Sequence, residues 1–226
     1  MEALISTIVD SISNLFGYFA SWQWSVITQS ITSIGMLYIA YRALNSWKHQ
    51  QSTHRVIDFL DQLTDTVHDF VNLVSLPVTR LKFIKIGIES TKWDISLDKK
   101  LKHPELVKYV EKNGVVQAEK LISALDNCNA SIHRIRSLLV KGQVLGISNY
   151  EQCVTACEKI IWQFDRLQVV YAVLSSPNLN LDHPEVEKMM EAIIEVTPES
   201  INDYLAENQR QFLTFVKNVY EEQFKL

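Results

Sequence analysis

The sequence predicts an all-α protein: an N-terminal amphipathic helix, one transmembrane helix and then a cytosolic antiparallel helical bundle. Three observations predict it. Thirty-one consecutive residues, Ser11 to Tyr41, carry no Asp, Glu, Lys or Arg in a 226-residue chain that is 21% charged. Beyond them, apolar residues recur at the alternating four-and-three spacing of a helix seam. Each seam runs for about three heptads before a turn signal, which favours an antiparallel bundle over an extended coiled coil. The expected divisions are 1–22 for the amphipathic helix, 23–45 for the span and 46–226 for the bundle.

Residues 3–19 place Leu4, Ile5, Ile8, Val9, Ile12, Leu15, Phe16 and Phe19 on one stripe, opposite Ser6, Thr7, Asp10, Ser11, Ser13 and Asn14, the pattern of an amphipathic helix. Its polar face has no Lys or Arg, so it fits the outer interface or the side of a neighbouring span better than an anionic lipid surface. A second span forming a hairpin is the alternative. It would place Asp10 in the bilayer at about 2.5–3.5 kcal/mol.

The strongest part of the uncharged stretch is Trp24 to Leu44, 21 residues that at about 1.5 Å each cover the roughly 30 Å hydrocarbon core. Trp22 and Trp24 mark one end, and Tyr38, Tyr41 and Trp47 the other, where amphipathic rings sit at headgroup depth. Arg42, Lys48 and Arg55 follow it, whereas Glu2 and Asp10 precede it. The positive-inside rule then puts the N-terminus outside and the bundle in the cytoplasm. The start lacks the basic region of a signal peptide, so the segment is expected to stay as an anchor. Ser25, Gln29, Thr32 and Ser33 share one face of this helix. A lone span gains nothing from such a seam, so self-association into a homo-oligomer is expected, by a dry hydrogen-bonded interface or a water-lined pore.

After the span, Val56, Leu60, Leu63, Val67, Phe70 and Val74 keep strict seam spacing, and Pro77 is expected to end the helix. Residues 78–102 read as helix, with a strand over Leu81–Ile88 as the alternative. Pro104 leads a short helix and Asn113-Gly114 is expected to open the next, with the seam Leu121, Leu125, Cys128, Ile132, Ile135, Leu139. Gly142, Gly146 and Ser148-Asn149 form a break, after which Cys153, Cys157, Ile160, Phe164, Leu167, Tyr171 and Leu174 fold back antiparallel until Pro177. A short helix runs from Pro184 to about Val196. Thr197-Pro198-Glu199-Ser200 then starts a final helix carrying Ile201, Leu205, Phe212, Phe215, Val219 and Phe224.

Chemistry is harder to find. His54, Asp58, Asp61, Asp65 and His68 line the face opposite the first seam, and Asp65/His68 has the DxxH spacing of bundle metal sites. The matching half is missing, so a solvated acidic face is expected. Cys153 and Cys157, one turn apart, have zinc-ligand spacing but lie in an apolar seam where free Cys acts as a small hydrophobe; with Cys128 they are expected to be reduced and buried. No GxSxG, Walker loop, GxGxxG or HExxH occurs, and no nucleophile has an assignable base. No enzyme activity, cofactor, metal or small-molecule substrate is expected. The net charge of −4 provides no global attraction to nucleic acid. Locally, Arg80, Lys82, Lys85, Lys92, Lys99, Lys100 and Lys102 outnumber Glu89, Asp94 and Asp98, which reads first as a solvated connector and, as the alternative, as a basic patch able to meet lipid headgroups or nucleic-acid phosphates.

An amphipathic start, a polar-seamed span and a bundle without catalytic equipment together resemble the small transmembrane effectors that accompany retron reverse transcriptases in bacterial anti-phage defence. The resemblance is one of architecture along the whole chain, and it transfers no residue. It implies a bundle held inactive by a cytosolic protein or ribonucleoprotein until infection, when the membrane part damages the envelope and stops growth. The rival expectation is a constitutive membrane-anchored scaffold without toxicity.

Overall fold

The computed structural model describes residues 2–21, 24–93, 102–180 and 183–224, without the side chains of 2–5 and 19–25. Its described residues form helices joined by turns, with no strand among them: α1 (Glu2–Ser21), α2 (Trp24–Thr91), α3 (Pro104–Val144), α4 (Tyr150–Leu174), α5 (Pro184–Glu195) and α6 (Pro198–Phe224). The chain divides into two compact units, Met1–Thr53 and His54–Leu226.

In the second unit the expected seams form one core. Leu60, Leu63, Val67, Phe70 and Val74 of α2, Leu121, Leu125, Cys128 and Ile135 of α3, and Cys153, Cys157, Ile160 and Leu167 of α4 are buried together. Ile201, Leu205, Phe212, Phe215 and Val219 of α6 join them, whereas Phe224 is exposed. The core is built on α4, which packs on α3, α5 and α6. α3 and α4 run antiparallel as expected: Gly114 backs onto Leu174 at the end of α4, and Gly142 backs onto Tyr150 at its start. The Tyr150 hydroxyl donates to the Leu139 carbonyl at 2.8 Å, fixing that end. The reversal itself uses Gly146 and Asn149, at φ 65° and 55°, the left-handed region that Gly and Asn enter most readily.

Two expected breaks are absent. Pro77 lies inside α2, although it removes a helix hydrogen bond at about 3 kcal/mol. The apolar face continues past it through Val78, Leu81, Ile84 and Ile88, all buried; four such side chains at about 1.5–3 kcal/mol each outweigh the loss. Residues 78–91 are therefore helix and the strand alternative fails, whereas Lys92 and Trp93 form a turn and the rest of the expected helix, 94–101, lies outside the described residues. Asn113-Gly114 likewise lies within α3, because Leu106 and Val110 before it and Ala118 and Leu121 after it bury one continuous face. Gly114 serves helix packing: a Cβ there would stand 2.6 Å from the Leu174 carbonyl oxygen.

Thr197 starts α6 as expected. Its Oγ1 accepts the Ser200 amide at 3.0 Å while Ser200 Oγ accepts the Thr197 amide at 3.2 Å, a reciprocal box with Ser at the position usually held by Glu or Gln.

In the first unit, α1 covers the expected amphipathic segment, and Ile8, Val9, Ile12, Leu15 and Phe16 are exposed along it. The expected span meets a different outcome: among the described residues no helix is long and apolar enough to cross a membrane. Thr28, Gln29, Ser30, Thr32 and Ser33 dilute the apolar residues between Val26 and Leu44, and Arg42 falls inside that run. The coarser expectation, a helix throughout this segment, is met.

Candidate functional site

Two surfaces carry the residues singled out above. The first is the N-terminal part of α2. Val26, Ile31, Ile34, Met36, Leu37, Ile39 and Leu44 are each about half or more exposed, with Tyr38, Tyr41 and Trp47 beside them. Leu37 is 71% exposed, and neighbours on every side of the helix are similar. Such a surface is costly in water, since each large apolar side chain leaves about 1.5–3 kcal/mol of burial unrealised.

The polar seam of that helix is partly closed on itself. Thr32 Oγ1 donates to the Thr28 carbonyl at 2.7 Å and Ser33 Oγ donates to the Gln29 carbonyl at 2.8 Å. These bonds within the helix meet the donor requirement of both hydroxyls, so neither needs an interhelical partner. Gln29 differs, because among the described residues nothing receives its side-chain amide. The side chain of Ser25 lies outside the described residues. Among the three seam residues whose side chains are described, Gln29 is the one with no side-chain bond to another described residue.

The second surface is the basic segment, and the structure disperses it. Lys82 and Lys92 are exposed and Arg80 is half-buried; Lys99 and Lys100 lie outside the described residues. Lys85 turns inward and donates to the carbonyls of Ile193 and Ile194 at 2.6 and 2.8 Å. These are among the last carbonyls of α5, which have no partner within the helix, and a cation there also meets the negative end of the helix dipole. Burial, reinforced by Lys92, lowers the Lys85 ammonium to about 8 despite those acceptors. Lys102 pairs with Glu187 and Glu191 at 2.7 and 2.5 Å, one turn apart on α5. The hydrogen bonds to these two carboxylates raise the lysine above its ordinary range.

The other candidates are structural. His54, Asp58, Asp61, Asp65 and His68 are exposed, and no group of three potential metal ligands gathers among the described residues. Asp61 has a neighbour that sequence did not suggest, accepting a short hydrogen bond from the Tyr220 hydroxyl of α6. Burial, followed by this bond, pushes Tyr220 up to about 12. Cys128, Cys153 and Cys157 are free and buried. Burial pushes Cys128 up to about 11, and the neighbouring Cys153 together with burial raises Cys157 well above a normal thiol. These are the marks of inert packing sulfurs.

One cluster gave no signal in the sequence. Arg166 of α4 lies 5.0 Å from the Trp162 ring and 5.9 Å from that of Tyr204 on α6, and the rings meet edge to face at 6.4 Å. Arg166 also donates to Gln163 at 2.8 Å. The i, i+4 spacing of Trp162 and Arg166 was visible, but Tyr204 comes from another helix.

Comparison with protein-family models, with curated proteins and with solved structures returns no match for this chain.

Proposed function

We propose that this is a non-enzymatic membrane protein whose first unit enters the bilayer and self-associates, and whose helical bundle restrains it from the cytoplasmic side. In that setting it acts as a membrane-perturbing effector of the kind used in abortive antiviral defence. The observation that carries the reading is the exposed apolar surface of α2 between Val26 and Trp47, with Thr32 and Ser33 closed onto their own helix. Hydropathy scales charge a Ser or Thr its full polarity. A hydroxyl already bonded to the preceding turn costs less, so the segment suits lipid better than its composition suggests.

Gln29 gives this reading its specificity. An amide exposed on the face of its helix favours association by about 0.6–2 kcal/mol when it meets a second copy in a membrane. Arg42, Lys48 and Arg55 support the orientation with the bundle inside.

The test is to express the full chain in a bacterium and record membrane potential with a voltage-sensitive dye, with and without a candidate sensor encoded nearby. Gln29→Leu with Ser33→Leu should abolish depolarisation and membrane cross-linking while the protein still accumulates. Ile27→Leu with Ile34→Leu should keep both. Depolarisation retained by the Gln29/Ser33 variant would contradict the seam as the working surface. A second reading, a constitutive anchored scaffold, is favoured by the half-exposed Trp162–Tyr204 pair under Arg166, a composition suited to protein docking. It predicts no depolarisation under any condition.

A further inference from the structure

Two lysines, half-buried Lys85 and exposed Lys102, share a target. Lys85 and Lys102 come from opposite ends of the α2–α3 connection, and both are occupied by α5. That helix is acidic, with Glu185, Glu187, Glu191 and Glu195 against Lys188. Two of its twelve residues, Met190 and Ile193, are buried, with Val186 and Met189 partly buried against the core. Its ion pairs to Lys102 are about half exposed, and such pairs contribute little each. On the same stretch of chain Lys82 and Lys92 are exposed, as are Phe83, Ile86 and Trp93 at 58%, 55% and 86%.

We propose that α5 is an autoinhibitory strap, an internal acidic ligand seated on a basic face, and that its release presents Lys82, Lys85, Lys92 and Lys102 to the phosphates of an anionic phospholipid surface. The charge of the strap identifies the ligand as an anion. The apolar neighbours identify the anion as a bilayer surface: Phe83, Ile86 and Trp93 beside lysines can enter the headgroup boundary while the ammonium groups meet phosphate. An isoleucine offers no stacking plane to a nucleic-acid base. Displacement exchanges the two carboxylates and the helix-end carbonyls of α5 for lipid phosphates, with no covalent step.

Hydrogen exchange of the full chain tests this in phosphatidylcholine vesicles with and without phosphatidylglycerol. Binding to phosphatidylcholine alone reports entry of the first unit. The increment from phosphatidylglycerol reports the basic face, so the two proposals can fail separately. Phosphatidylglycerol should speed exchange of α5 by about fivefold and slow that of 82–91, the size expected from losing weak ion pairs. Glu187→Gln with Glu191→Gln should show the faster exchange already in phosphatidylcholine. Lys82→Glu with Lys92→Glu should lose the response to phosphatidylglycerol. Exchange of α5 indifferent to lipid charge in both the unmodified chain and the Glu187/Glu191 variant would overturn the proposal. So would a response surviving in the Lys82/Lys92 variant, or opening by an oligonucleotide but not by phosphatidylglycerol.

Discussion

Gly114 shows how a single position can be misread locally and explained by its neighbours. Asn-Gly is a strong turn signal in sequence, but here the missing side chain admits the end of a neighbouring helix. Gly114→Ala would gain about 1 kcal/mol of helix propensity and would drive a methyl group against the Leu174 carbonyl, a backbone atom that cannot swing away. The clash should win, with a net destabilisation of about 1–2 kcal/mol in the overpacking range. Gly35→Ala, where an added Cβ meets nothing within 4 Å, is the control and should not destabilise. Urea unfolding of both variants in detergent decides it, and a neutral or stabilising Gly114→Ala would contradict the close approach.

Lys85 makes a pH-dependent prediction with a definite sign. Its folded pKa is lowered from 10.5 to about 8, so between those values the unfolded chain holds a proton that the folded chain has released. Stability contributed at this residue therefore rises with pH across that window. Cys128 and Tyr220, whose folded values are raised, act in the opposite sense, but they act alike in a Lys85→Met variant. The melting temperature of the unmodified chain minus that of the variant should increase from about pH 7 to about pH 10. A difference that is flat or shrinks over this range would show that Lys85 is not held in a desolvated site.

Among the elements, the seams were legible because burial repeats at helix spacing, and every seam residue named from Val56 to Val74 is buried. The ends of helices were less legible. Pro77 and Asn113-Gly114 are local signals, and each lost to an apolar face extending through it, which can be recognised only once the partner helices are known. The pairing within the basic segment was hidden for a related reason: Lys85 and Lys102 find their partners 108 and 85 residues away. Charge summed along the chain says nothing of such pairing. Leu63→Asp, Ile132→Asp and Phe164→Asp should each cost about 3–5 kcal/mol, because each leaves a cavity and a buried carboxylate. Asp65→Asn should be neutral, whereas Asp61→Asn should cost about 0.5–1 kcal/mol by weakening the bond from Tyr220. Thermal unfolding followed by circular dichroism measures all five; equal effects on the two faces of α2 would contradict its orientation in the bundle.

For the molecule as a whole, the division into Met1–Thr53 and His54–Leu226 separates two compact units that differ in where their apolar residues lie. The second unit buries its apolar seams within itself. The first leaves its apolar residues uncovered, and the account assigns that cover to lipid and to other copies. Helicity of the first unit was readable from its period, but its surroundings were not: the same alternation of Ile, Leu, Ser and Thr could serve a span or a soluble helix, and only the internal hydroxyl bonds shift the balance.

Thiol accessibility tests that assignment most directly, because the three natural cysteines are buried and free and supply a low background. Leu37→Cys and His54→Cys are introduced separately into the full chain and treated in intact cells, and in inverted membrane vesicles, with a maleimide that cannot cross membranes. The account predicts that Cys at 37 reacts in neither preparation unless the membrane is dissolved, whereas Cys at 54 reacts in inverted vesicles only. Prompt labelling at 37 in aqueous solution, or labelling at 54 from outside intact cells, would contradict it.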